Sequence, residues 1–182
     1  MSTNLAAATT HATRTQPRTL RIDPSRSQVA FWVRFLGPVS VHGLLAGIDG
    51  RITLDDTEPE RSTVRATVDV ATLDTGITRR DHHLRSADFF DVGRYPLASF
   101  ESDSVESLAN GQWRVHGLLD LHGVRRPVAL DTISAEMGDG EMRLTATIGL
   151  SRRDFGIGKD DLLTRLMLGD RVHLELTIAA KP

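Results

Sequence analysis

The residues best equipped for chemistry are gathered in one short run, Arg79-Arg80-Asp81-His82-His83-Leu84-Arg85. Its guanidinium groups carry forked donors that suit a phosphate or a carboxylate. Its imidazoles suit a quinone carbonyl, a metal ion or, with Asp81, a proton transfer. Metal chelation fits poorly, because neighbours on a helix point about 100° apart and cannot readily hold one ion together. No HExxH spacing is present, and His42, His116, His122 and His173 are scattered over strand-patterned segments. No metal site is expected. Asp154-Phe155-Gly156 follows Ser151-Arg152-Arg153 and has the letters of the kinase magnesium tripeptide. Without a glycine-rich loop, a strand lysine or an HRD sequence it reads as a strand-to-loop turn with a paired Arg and Asp and a buried ring. No nucleophile elbow, Walker loop or dinucleotide fingerprint accompanies it, so neither catalysis nor a cofactor is expected.

The background composition narrows the classes further. The 182 residues suit one domain with a disordered end. A net charge of -2 gives no basic footprint for nucleic acid, and 5% aromatic residues argue against a base-stacking platform. The absence of cysteine excludes disulfides and thiolate chemistry. Residues 1–19 are rich in Thr, Ala and Arg and have no apolar face, which reads as a disordered leader ahead of a domain spanning 20–182. Its longest apolar run, Leu5 to Ala8, is shorter than a signal-peptide core, and no run approaches the roughly 20 apolar residues of a membrane span. A soluble, cytoplasmic protein is expected.

The rest of the chain is patterned for strands. Val29, Phe31, Val33 and Phe35 alternate with Gln28, Ala30, Trp32 and Arg34. Val39 to Ile48 follows, interrupted by Gly43 and Gly47, with Arg51 to Leu54 as its continuation. Ser62 to Val70 has the cleanest alternation. Later strands are Leu97 to Val105, Gln112 to His122, Arg126 to Glu136, Met142 to Ser151 and Arg171 to Ala179. The segment between His122 and Pro127 reads as a hairpin break, and Asn110-Gly111 and Asp139-Gly140 as hairpin turns. The cationic run lies on the one convincing helix, beginning near Thr78 with Asp81 as a capping partner and anchored inward by Leu84, then Phe89 and Phe90. Asp160 to Met167 reads as a weaker helix or an ordered loop. About eight short antiparallel strands with tight turns imply a sandwich or a closed barrel.

Several motifs together resemble the YceI-like family, also called polyisoprenoid-binding proteins. They are Ile22-Asp23-Pro24 with Ser27, Val29 and Phe31; Val41, Gly43 and Leu44; and Thr75 followed by Asp81, His83, Leu84, Ser86, Asp88, Phe89, Phe90, Asp91, Tyr95, Pro96 and Phe100. Gly117, Leu119, Gly123 and Pro127-Val128 continue the match, which ends on Arg153 to Ile157. The resemblance implies an all-β fold with a minor helix: an eight-stranded antiparallel lipocalin-like β-barrel with a short helical insertion near the mouth. It implies carriage of a long-chain amphiphile, whether a polyisoprenoid, an isoprenoid quinone or a fatty-acid derivative, and homodimers are common among such proteins.

Small residues at inward positions (Ala66, Ala98, Gly117 and Ala146) favour empty room inside such a barrel. The expected cavity wall is Phe31, Val33, Val68, Leu84, Phe89, Phe90, Phe100, Gly117, Leu119, Ala146, Ile148, Phe155 and Leu174, with Arg79, Arg80, His82 and His83 as a polar rim. The competing readings are a lipid-directed enzyme using His82, His83 and Asp81, and a stress-related interaction scaffold.

Overall fold

Period-two alternation recurs along most of the chain, and in the computed structural model, which describes residues 16–158 and 166–182, it closes into a barrel. The strands are β1 (Arg18–Ile22), β2 (Gln28–Phe35), β3 (Ser40–Leu45), β4 (Ile48–Leu54), β5 (Thr63–Asp69), β6 (Leu97–Ser107), β7 (Trp113–Leu121), β8 (Val124–Gly138), β9 (Glu141–Ser151) and β10 (Leu168–Lys181). Every pairing is antiparallel, in the order β1-β4-β5-β6-β7-β8-β9-β10-β2-β3, and a β1–β10 pairing joins the ends. Because β1 and β2 both pair with β10, they are two halves of one broken strand. Segments β3 and β4 are likewise halves of its neighbour, pairing β2 and β1 in turn. The ten segments therefore make eight staves, the closed antiparallel barrel expected.

The two breaks have local causes. After Ile22, Pro24 supplies no N–H, and Asp23 accepts from the Ser25 amide and hydroxyl (3.1 and 2.7 Å) and from Lys181 (3.0 Å). The buried Ser27 hydroxyl then accepts from the Ala179 amide at 3.0 Å, patching the ladder across the gap. The second break falls at Ala46-Gly47, where Gly47 has φ +68°. Gly43 lies within β3 and leaves room for the Phe31 ring, which approaches to 2.4 Å of where a Cβ would sit.

β1 begins inside the last two residues of the segment read as a leader, and residues 1–15 lie outside the described ones. Asp139-Gly140 forms the expected two-residue turn, with φ +51° and +79°. The break after His122 is narrower than its sequence suggests. His122-Gly123 alone turns the chain (φ +55° and +71°), and β8 resumes at Val124. Pro127 falls in β8 before the β8–β9 ladder starts at Asp131↔Thr147, so its missing N–H costs no bond to β9. Asn110-Gly111 belongs to a wider connection closed by the Leu108 amide on the Gln112 carbonyl at 2.7 Å.

The helix α1 (Thr78–Arg85) follows β5 at the end of the barrel that also carries the β2–β3, β7–β8 and β9–β10 connections. The expected Thr78–Asp81 cap does not form. The Asp81 carboxylate instead accepts from the amide and hydroxyl of Thr75 (2.9 and 2.5 Å), which pins the helix to the strand-like segment before it. Of the weaker helical stretch Asp160–Met167, only Leu166 and Met167 are described, in a helical turn leading into β10. No helix among the described residues is long and apolar enough to cross a membrane.

Packing is uneven along the barrel axis. The end away from α1 is filled by Leu20, Ile22, Val29, Ile48, Ile52, Ile178 and Ala180. Nearer α1, Leu150, Phe155 and Ile157 pack with Phe89, Phe90 and Leu121. Between the two, inward side chains such as Leu119, Leu130, Ile148 and Leu174 are only half-buried. Inward residues that keep exposed surface border a hollow.

Candidate functional site

The hollow is a cavity of about 1010 Å³ inside the barrel. Strands contribute its wall at every second residue: Phe31, Val33 and Phe35 from β2; Val64, Ala66 and Val68 from β5; Ala98 and Phe100 from β6. Val115 and Leu119 come from β7, Ala146, Ile148 and Leu150 from β9, and Val172, Leu174, Leu176 and Ile178 from β10. Alternation makes one face of each stave apolar, and closure turns all of those faces inward. The small side chains Ala66, Ala98 and Ala146 hold part of the space open.

Twelve of the thirteen wall residues expected from sequence line this cavity; Gly117 does not. Gly117 has the same parity as Leu119, but the Phe100 ring lies over it, 2.7 Å from where a Cβ would stand, with the Glu101 carbonyl at 2.4 Å. The glycine makes room for Phe100, and Phe100 meets the cavity.

At the mouth, α1 brings Arg79, Arg80, His83 and Leu84 to the lining, while His82 points into solvent. The separation of adjacent positions on a helix splits the two histidines. His83 stands edge-on to Phe89 at 4.9 Å, with Nε2 3.6 Å from Asp88. Arg80 is fixed: its Nε donates to the Thr75 hydroxyl at 2.7 Å and Nη2 to the Thr75 carbonyl at 2.9 Å. The Thr75 hydroxyl in turn donates to Asp81, and this bond, helped by the Thr75 amide and the charges of Arg85 and Arg80, holds the Asp81 carboxyl below its usual range although burial opposes it. Arg79 is exposed at the rim. The arrangement presents one guanidinium held by hydrogen bonds and one exposed to solvent above an apolar interior.

Sequence reasoning missed Arg152, a cavity-lining residue only 4% exposed. Its Nη1 donates to the Ile157 carbonyl at 3.0 Å and its Nε to the Gly169 carbonyl at 3.2 Å. Beside it the turn 152–155 ends at Gly156 in the left-handed region (φ +64°), and Phe155 is buried as expected. The expected Arg153–Asp154 pair is not made: Arg153 faces Asp170 at 3.7 Å, and the Asp154 carbonyl accepts from Arg126 at 3.3 Å. His122 closes the same corner, with Nδ1 3.0 Å from the Phe155 carbonyl and its ring 4.8 Å from Tyr95. Among the described residues no group of three or more His, Asp or Glu side chains is placed to hold a metal ion.

Comparison with known proteins agrees with this architecture. A family model described as the YceI-like domain matches residues 20–180. A UPF0312 protein of Ectopseudomonas mendocina (strain ymp) is 35% identical over 139 residues, covering 72% of each chain. One from Pseudomonas putida (strain W619) is 38% identical over 130 residues, covering 69% of this chain and 68% of the relative. Among solved structures, Burkholderia cenocepacia BcnA superposes with a TM-score of 0.81 at 19% identity, over 88% of this chain and 99% of that one. A polyisoprenoid binding domain from Saccharophagus degradans, implicated in plant cell wall breakdown, gives 0.69 at 15% identity, over 89% and 97%. At such identities the two structures speak for the fold alone.

Proposed function

The chain belongs to the YceI-like domain family, and from that premise we propose that it is a non-catalytic carrier of a long-chain amphiphilic lipid. The tail occupies the barrel interior and the polar end lies at the mouth, beside Arg79, Arg80 and His83. The observation that carries this reading is the size and lining of the cavity. Its roughly 1010 Å³ is at the upper end of the range for small-molecule pockets, about 300–1,000 Å³, and its wall is almost entirely hydrocarbon. The Saccharophagus neighbour of similar fold is itself named as a polyisoprenoid binding domain.

Magnitudes favour a long tail over a short one. Burial is worth about 0.8 kcal/mol per carbon, so a ten-carbon tail gains about 8 kcal/mol. That falls within the estimated cost of association, about 4–15 kcal/mol. A twenty-carbon tail gains about 16 kcal/mol and exceeds it. At about 30 Å³ per water-sized group the cavity has room for roughly thirty such groups. Polyisoprenoids, isoprenoid quinones and long fatty-acid derivatives all meet this requirement.

The test is displacement of a fluorescent fatty-acid probe from the lipid-free protein. Polyprenols and quinones of increasing tail length should compete more strongly until the cavity is filled. A probe that never binds, or competition independent of tail length, would remove the carrier reading.

A further inference from the structure

The cavity's mouth is apolar on its outside as well as within. Four of the eight large apolar side chains left exposed among the described residues belong to its rim: Leu36, Val39, Ile77 and Leu166, each more than half exposed. They come from three separate segments that the fold draws together. The Leu36 amide donates to the Met167 carbonyl at 2.8 Å, which sets the β2–β3 tip beside Leu166. Leu44 and Asp74 exchange backbone hydrogen bonds (2.8 and 2.9 Å), so the chain from 74 to 77 climbs beside β3 towards that tip.

The tip is also conformationally unusual. Leu36 has φ +51° and Gly37 φ +70°, so a leucine occupies the left-handed region that glycine and asparagine favour. The Phe35 amide on the Val39 carbonyl at 2.7 Å closes this turn. Local propensity would place a small polar residue at Leu36, and the chain instead holds an apolar side chain out into solvent.

Basic side chains stand among these apolar ones. The side chains of Arg34 and Arg79 are exposed and make no ion pair or hydrogen bond among the described residues. Of the acids at the same end, Asp74 accepts from the Gly76 amide, Asp81 from Thr75 and Asp170 from the Ser151 hydroxyl. Apolar side chains flanked by exposed arginines match the layered chemistry of a bilayer surface, with hydrocarbon beneath anionic headgroups.

We propose that the barrel mouth is a docking surface for an anionic lipid bilayer, in which Leu36, Val39, Ile77 and Leu166 enter the interface while Arg34 and Arg79 contact headgroup phosphates. Docking would set the cavity opening against the membrane, where a long-tailed cargo can pass without crossing water. The inference draws its purpose from the carrier reading, but the docking itself needs no cargo.

The experiment is co-sedimentation of the lipid-free full chain with vesicles of phosphatidylcholine alone or mixed with phosphatidylglycerol. Partition should favour the anionic vesicles and fall as salt rises. Each of R34Q and R79Q should weaken it about fivefold, and the double variant V39D/I77D by more than about tenfold. All these positions are exposed, and thermal midpoints near that of the parent would confirm intact folding. Absence of partition, or equal partition onto both vesicles, would overturn the proposal. So would a dimer in size-exclusion light scattering that V39D/I77D dissolves while no vesicle binding is seen, which would assign the rim to a second copy of the chain. Because no cargo is present, failure here leaves probe displacement from the cavity as a separate result.

Discussion

Replacing Ala98 by leucine separates a hollow barrel from a packed one by the sign of its effect. Ala98 is a half-buried β6 residue that lines the cavity opposite Val68. Leucine adds three carbons, worth about 2.4 kcal/mol at about 0.8 kcal/mol each if they are buried in unoccupied space. Ordering the longer side chain takes back about 0.5–1 kcal/mol, so the lipid-free protein should gain about 1.5 kcal/mol. The same three carbons exclude a matching length of tail, and a loss of about 2.4 kcal/mol weakens binding roughly fiftyfold. Urea unfolding of lipid-free protein reads the first effect, and displacement of a fluorescent fatty-acid probe reads the second. In a filled core the same change would be overpacking and would destabilise by about 1–3 kcal/mol. A destabilised A98L variant with unchanged probe affinity would refute the reasoning.

Gly117→Ala should be destabilised by about 1–3 kcal/mol, since its methyl would meet the Phe100 ring and the Glu101 carbonyl; an unchanged urea midpoint would contradict that packing. The double variant R79Q/R80Q should bind a phosphate-headed polyprenyl lipid about tenfold more weakly while leaving the uncharged polyprenol nearly unaffected; equal losses for both would remove the headgroup role. Acid should loosen the fold through carboxylates held low in the folded state, Asp23 and Asp81 among them. Asp23 is drawn down to about 2, first by the Ser25 hydroxyl and then by Lys181, and Asp81 is lowered chiefly by the Thr75 hydroxyl. A carboxylate depressed in the folded state contributes stability above its unfolded value of about 3.9, and that stability is lost as pH falls towards the folded value. Urea midpoints should therefore be flat from neutrality to about pH 5 and fall between about pH 4 and 2, with a shallower fall in D23N; a parallel fall in D23N would refute the assignment to Asp23.

Strand faces were legible from sequence because a residue's side on a stave depends only on parity, as in Val64, Ala66 and Val68. The cationic helix was legible from its lack of alternation. What escaped depends on contacts between distant residues. Gly117 shares parity with the wall, but only the tertiary position of Phe100 shows that its space is taken. The Asp81 partner is Thr75 rather than Thr78 because the segment before the helix folds back along β3. Arg152 and Arg153 are identical neighbours, yet one is buried against the Ile157 and Gly169 carbonyls while the other is exposed beside Asp170. A run of charges in sequence carries no mark of which member the chain will turn inward. The broken first stave was hidden for a similar reason, since only pairing with β10 on both sides of Pro24 reveals β1 and β2 as one strand.

The carrier account is tested most directly by native mass spectrometry of the purified full chain, followed by organic extraction of what is released. It predicts a bound species in near-stoichiometric amount whose extract is a long-chain isoprenoid, quinone or fatty-acid derivative, and which the A98L variant retains less well. A bare mass that stays unchanged after incubation with polyprenols, quinones and fatty amides would contradict it.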